Sequence, residues 1–227
     1  TGDFAFGFSG RTETRNNNPG RVGLIGQFSA GGAGAITPGK IDANIAGTIY
    51  DNSSLTGTYT VDPATGRGTA VFTAAAPLSR IYNLFFYVVS ADEAFWVGSD
   101  NTVSPPHLFG GQSIKRTGGP FTLSSLNNTS VFSLEGKNPA NQSADAAIGL
   151  ITPDGLGGIT GGPMDENFDT VLSSFSTLTG SYTMGASGRG TMHLDNATTA
   201  YRDFTFYMVK PNTAFIMDRT GTKVGVG

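Results

Sequence analysis

LTGTYTVDPATGRGTAVF (55–72) and LTGSYTMGASGRGTMHL (178–194) spell the same β-hairpin twice, and their reading decides the fold. In the first, Leu55, Tyr59 and Val61 alternate with Thr56, Thr58 and Thr60. In the second, Leu178, Tyr182 and Met184 alternate with Thr179, Ser181 and Thr183. Strict apolar–polar alternation is the period of a half-buried strand. The turns VDPATGRG (61–68) and MGASGRG (184–190) carry glycine where a hairpin needs positive φ. Gly57 and Gly180 fall on the apolar face, where a missing side chain marks a bulge, a bend or close packing. In a curved sheet a neighbouring aromatic covers such a gap.

The match extends outward from the hairpin. Gly26, Gly34, Ile36, Thr37, Gly39, Asp42 and Asn44 recur 123 positions later, in GLITPDGLGGITGGPMDEN (149–167). GRGT recurs after 122 positions, and LFFYVVSADEAFW (84–96) meets FTFYMVKPNTAFI (204–216) after 120. Length changes stay in turn-like segments. FAFGFSG (4–10) resembles VFSLEG (131–136), so each unit opens with that strand, and 110–128 links the two. The reading is two tandem units, 1–118 and 119–227, and internal periodicity of this kind outranks local cues. Seven or eight short strands per unit predict an all-β protein: two antiparallel up-and-down barrels, lipocalin- or avidin-like in shape. Two β-sandwiches, or one larger merged sheet, are the alternatives. The chain opens at Thr1 and shows no counterpart of the linking segment 110–128 after Gly227, so it is expected to be a piece of a longer array.

One strand is apolar on both faces. Leu84, Phe86 and Val88 alternate with Phe85, Tyr87 and Val89; Phe204, Phe206 and Met208 alternate with Thr205, Tyr207 and Val209. Such a strand is buried on both sides. Phe85, Tyr87, Val89, Tyr207 and Val209 are therefore expected to meet the other unit, a partner or a ligand.

Composition narrows the function classes. Charged residues are 14% of the chain against a usual quarter, so Gly, Ser, Thr and Asn must cover the surface. A net charge of −3 gives no basic footprint for nucleic acid and no polybasic membrane patch. No apolar run is long enough for a spanning helix. With no cysteine there is no disulfide and no thiolate metal site. Abundant Thr, Asn and Gly with few charges suit a secreted or cell-surface bacterial protein.

The motifs together (FxFSLxG, ITGGxMDEN, LTGTYxxxxxGRGT and FxFYxV) resemble a repeat of uncharacterised secreted or surface proteins of soil bacteria, many acidobacterial and often in long arrays. The resemblance covers nearly the whole chain twice. It implies an extracellular β-rich repeat and brings no catalytic residues. The first copy departs from it at AGGAG (30–34) and at Lys40-Ile41-Asp42.

Matched positions filter the chemically suggestive residues. Asp42 and Asn44, with Asp165 and Asn167, offer alternate oxygen-bearing side chains of the kind calcium takes. A calcium site needs six or more oxygens, and Asp and Asn also brace turns, which is the preferred reading. Arg67 and Arg189 could offer a forked donor at a binding rim, or pack their stems over the hairpin. Tyr59, Tyr182, Phe86 and Phe206 would line an apolar cavity if the barrels hold one. Glu166, His193 and Trp96 are unmatched, by Ala43, Val71 and Ile216, and are set aside. The two histidines, His107 and His193, are too few for a zinc site in a chain without cysteine. No cofactor is expected. The leading expectation is a non-catalytic extracellular module, structural or adhesive, contacting itself, flanking repeats or surface glycan. A carrier of a small apolar ligand comes second, and a glycan-acting hydrolase last.

Overall fold

The computed structural model describes residues 1–12, 20–99, 106–138, 140, 143–196 and 200–227. Eight strands form the first body: β1 (Gly2–Thr12), β2 (Arg21–Ala30), β3 (Ala35–Ile45), β4 (Thr48–Val61), β5 (Arg67–Ala74), β6 (Arg80–Ser90), β7 (Glu93–Gly98) and β8 (His107–Lys115). Each pairs antiparallel with the next, and β8 returns to β1, closing an up-and-down barrel.

Among the described residues ten strands, most of them shorter, form the second body. They are β9 (Ser130–Lys137), β10 (Ala144–Ile151), β11 (Gly158–Ile159), β12 (Met164–Phe168), β13 (Val171–Phe175), β14 (Thr179–Met184), β15 (Arg189–Asp195), β16 (Ala200–Lys210), β17 (Thr213–Asp218) and β18 (Val224–Val226). They make one curled antiparallel sheet in the order β11-β14-β15-β16-β17-β18-β9-β10-β12-β13. Registers in the two bodies correspond over most of their shared ladders. Gly26 faces Ile41 as Gly149 faces Met164; Tyr59 faces Ala70 as Tyr182 faces Met192. Arg67 faces Tyr87 as Arg189 faces Tyr207. The count is ten and not about eight because β11 and β12 divide the stretch that β3 runs through, and β13 and β14 divide that of β4. Gly161 (φ 138°), Gly162 and Pro163 interrupt the ladder there, and Leu178 N–H donates to Gly162 O between the two pieces.

Inward side chains fill the first barrel. Phe6, Phe8, Phe28, Phe72, Phe86 and Trp96 are buried together, with ring centroids 4.4 Å apart for Phe86–Trp96 and 4.7 Å for Phe6–Phe8. The second sheet curls round Phe132, Met164, Tyr182, Met192, Phe204 and Phe206.

The glycines of the shared motif have a steric reason. A Cβ on Gly68 would lie 2.1 Å from the Phe86 ring, and one on Gly190 would lie 2.2 Å from the Phe206 ring. The aromatic on the next strand occupies the place of the missing side chain. Gly68→Ala is expected to lower stability by about 2 kcal/mol through overpacking, read as a lower urea midpoint at unchanged slope.

A pH dependence is built into one end of the barrel. His107 is buried at the start of β8, its ring 6.0 Å from that of Tyr82. Burial, then the charge of Arg80, pulls its pKa down to about 4 from 6.5. Between those values the unfolded chain binds the proton that the folded chain refuses, so stability rises with pH. The fully neutral folded histidine is worth roughly 3 kcal/mol, lost as pH falls from 6.5 towards 4. Urea midpoints measured across that window should fall on acidification, and His107→Phe should flatten the slope.

Candidate functional site

The chemistry-bearing residues gather where the two bodies meet. In β3, alternation sends Ile41 and Ala43 into the barrel and turns Asp42 and Asn44 outward, yet all four are buried. They are covered because β16, β17 and β18 pack on β1 and β2. Ala5, Ile25, Tyr207, Val209, Phe215 and Met217 form a separate apolar cluster between the bodies. Gly7 and Gly23 keep the receiving surface flat: a Cβ would meet the Phe215 ring at 2.7 Å and Val226 at 2.9 Å.

Beside this cluster, Arg189 Nε donates to Asp42 Oδ2 at 2.9 Å and its Nη2 donates to Oδ1 at 2.5 Å. The Tyr207 hydroxyl also donates to Asp42, and Asn52 N–H donates to it at 2.8 Å. A two-pronged guanidinium–carboxylate pair fixes direction as well as distance. The hydrogen bond to Asp42 raises the Arg189 pKa, while burial next to Asp42 raises that of Tyr207. Asp51 bridges Arg189 (3.3 Å) and Arg219 (2.6 Å). Asn44 Nδ2 donates to the carbonyls of Asp218 and Lys223 at 2.8 and 2.9 Å. The linker is held too: Thr117 N–H donates to Val209 O at 2.9 Å, and Arg116 Nε to Met208 O at 3.0 Å.

The cation reading of the Asp-x-Asn motif finds other partners in place. Asp42 is satisfied by a guanidinium, a phenol and a backbone amide, and Asn44 by two carbonyls across the joint. Asp165 and Asn167, the matched pair, lie exposed, with Ser174 Oγ donating to Asp165 at 2.6 Å. Among the described residues no group of three or more acidic or histidine side chains is placed to hold a metal ion.

Matched residues have unlike surroundings elsewhere. Tyr207 and Val209 are buried in the joint, whereas Tyr87 and Val89 are exposed and Phe85 is half-buried on the outer wall of the first barrel. Arg67 is exposed, its guanidinium 4.5 Å above the Phe85 ring. Tyr182 is buried with its hydroxyl between the carbonyls of Leu123 and Leu126, and Phe206 belongs to the second core. Tyr59 and Phe86 line a cavity of about 170 Å³ with Phe4, Phe28, Ile36 and Trp96. It opens at the end of the barrel where β6 turns into β7. The Tyr59 hydroxyl is held by Gly31 O at 2.6 Å, and Trp96 Nε1 by Ser113 Oγ at 2.8 Å.

A second charged cluster escaped the sequence reading. Arg202 is buried against Asp145, Glu166 and Asp218, with Lys223 also on Glu166. Burial raises the pKa of Asp145 and of Asp218. The matched positions in the first barrel hold Tyr82, Val22, Ala43 and Gly98. Two-residue alternation backward from Phe204 would have placed Arg202 inside. His193 contacts Asp203 at 2.7 Å and Asp195 at 3.1 Å, one through each ring nitrogen. The hydrogen bond to Asp203 raises its pKa. With both nitrogens turned to carboxylates, neither is aimed at the hydroxyl of Ser181, its cross-strand neighbour, as a serine–histidine pair requires. No family model and no curated protein matches this chain.

Proposed function

We propose that this chain is a non-catalytic structural module, extracellular or on a bacterial surface, in which two copies of one β unit are locked into a single stiff body. The observation that carries this reading is the joint itself. Its buried Asp42–Arg189–Tyr207 cluster draws matched positions of the two units into unlike roles, one copy supplying the acid and the other the base. The side chains packed through the first barrel support the reading, because a filled barrel serves as a strut. The low charge and the abundance of Thr, Gly and Asn support the extracellular assignment. Small-angle scattering should give one elongated particle matching the two bodies at fixed orientation, and broad glycoside and ester panels should give no turnover. A scattering curve that needs independently moving units, or reproducible turnover, would sink the proposal.

A second reading rests on the mouth of the first barrel. Its cavity of about 170 Å³ is apolar and aromatic. That volume accepts something the size of a single aromatic ring, well below the roughly 300–1,000 Å³ of ordinary ligand pockets. Trp96 is the only tryptophan of the chain and lines the cavity, so its fluorescence reports occupancy. Titration with benzene or toluene should change its emission saturably; a linear, unsaturable response would dispose of this reading.

A further inference from the structure

The joint has two halves, and each body carries the half that the other uses. The receiving half in the first barrel is the outer face of β1, β2 and β3, with Ala5, Ile25, Asp42 and Asn44. The matched face of the second sheet, on β9, β10 and β12, presents Val131, Ile148, Asp165 and Asn167 to solvent. The inserting half in the second sheet is the outer face of β15, β16 and β17, with Arg189, Tyr207, Val209, Phe215 and Met217. The matched face of the first barrel, on β5, β6 and β7, exposes Arg67, Tyr87, Val89, Phe95 and Val97.

The contrast in burial is large. Ile25 is 0% exposed and Ile148 is 55%; Tyr207 is 0% and Tyr87 is 54%; Phe215 is 8% and Phe95 is 54%. Two rows of large apolar side chains in water, each next to the charge that pairs across the internal joint, are what a docking surface leaves when its partner is missing. The charges beside the two rows are opposite: a cation on the inserting face, a carboxylate on the receiving face.

We infer that a second copy of this chain docks head to tail on the first, the outer face of β5–β7 of one copy meeting the outer face of β9, β10 and β12 of the next. Arg67 pairs with Asp165, Tyr87 donates to the same carboxylate, and Asn167 donates to the carbonyl of Gly98 as Asn44 does to that of Asp218. This deepens the structural reading above and rests on it.

Size changes across the two faces compensate. The receiving face grows where Ala146 replaces Gly23. Opposite it the inserting face shrinks, with Gly110 in the register position of Val226 and Val97 in place of Met217. Ser133 in place of Gly7 adds a side chain beneath the Phe95 ring, which has to shift. The contact joins two different surfaces, so it propagates from copy to copy and builds a filament unless the rotation closes a ring.

The experiment uses the full chain in sedimentation velocity over rising concentration. The wild type should form a ladder of oligomers that shortens on dilution and with added salt. Arg67→Asp blocks the inserting face and Asp165→Arg blocks the receiving face, and each variant alone should sediment as a monomer. Mixed in equal amounts they should regain the ladder with the two variants alternating, because the native charge pair and the reversed pair each form between unlike copies. A chain carrying both exchanges should regain the ladder, since the two faces then carry opposite charges again with the signs reversed. A wild type that stays monomeric throughout overturns the inference, as do oligomers that survive both single exchanges or a mixture that stays monomeric. A monomeric wild type whose scattering still fits one stiff body defeats the docking and leaves the structural reading standing. A normal ladder accompanied by turnover defeats that reading and leaves the docking.

Discussion

Asp42→Ala should cost about 3 kcal/mol and split the unfolding of this chain into two steps. Removing the carboxylate leaves the Arg189 guanidinium partly buried without its two-pronged partner, and strips the buried Tyr207 hydroxyl of its acceptor. Leaving a buried partner unsatisfied costs more than the net worth of the bond itself. Arg189 keeps about a fifth of its side chain in water and also reaches Asp51, so the loss falls at the lower end of what breaking a buried pair costs. The second effect is on cooperativity. The two bodies share the linker contacts, the apolar cluster of Tyr207, Phe215 and Met217, and this polar cluster. Loosening the joint lets the closed barrel and the interrupted sheet melt at their own midpoints. Urea unfolding followed separately by Trp96 fluorescence, which reports the first body alone, and by far-ultraviolet circular dichroism, which reports both, should coincide for the wild type and diverge for the variant. Arg189→Ala combined with Asp42→Ala should cost less than the sum of the single changes, because each single change already removes the same pair. Additive costs and coincident curves would mean that the polar cluster does not couple the bodies.

The hairpins, the strand class and the correspondence between the two units were legible in the sequence because each is a local, periodic signal. Alternation at Leu55–Val61 and the motif around Gly68 need only neighbours along the chain and one adjacent strand. The interruption of the second sheet was less legible. ITPGK (36–40) and ITGGP (159–163) look alike, yet the first bulges and pairs on while the second breaks at Gly161 and Gly162. The joint was half legible. Asp42, Asn44 and Arg189 stood out as matched polar residues, but the partner of Arg189 lies 147 positions away and is set by how two finished bodies pack. Tyr87 and Tyr207 sit in the same local pattern, so no reading of that strand could tell which copy is covered. Covering depends on which neighbour each face has, and a repeat supplies that neighbour for one face of each unit inside the chain.

Filtering by matched positions also hid something, and Arg202→Met tests how much. Arg202 sits inside the second sheet among Asp145, Glu166 and Asp218, where the first barrel holds Tyr82, Val22, Ala43 and Gly98. Removing the guanidinium takes the central cation from three buried acids and leaves Lys223 at their edge, and the expected cost near neutral pH is about 4 kcal/mol. The pH dependence has a definite sign. Burial already holds the pKa of Asp145 and of Asp218 above 3.8, and the Arg202 charge opposes that rise. Without Arg202 both rise further, so the folded variant binds protons that the unfolded chain releases. Its stability is then greatest near the ordinary carboxylate range and falls as pH climbs through the raised values. The variant should therefore gain stability relative to the wild type on mild acidification, the loss that His107 brings over the same range being common to both. A chain given the first barrel's own residues at these positions (Asp145→Val, Glu166→Ala, Arg202→Tyr and Asp218→Gly) should regain most of the loss, since apolar packing replaces a buried ion cluster at little net cost. A single variant as stable as the wild type at neutral pH, with an unaltered pH profile, would mean that the cluster is wet and weakly coupled. The opposite result makes it a fold-specific replacement for the aromatic interior of its sister unit.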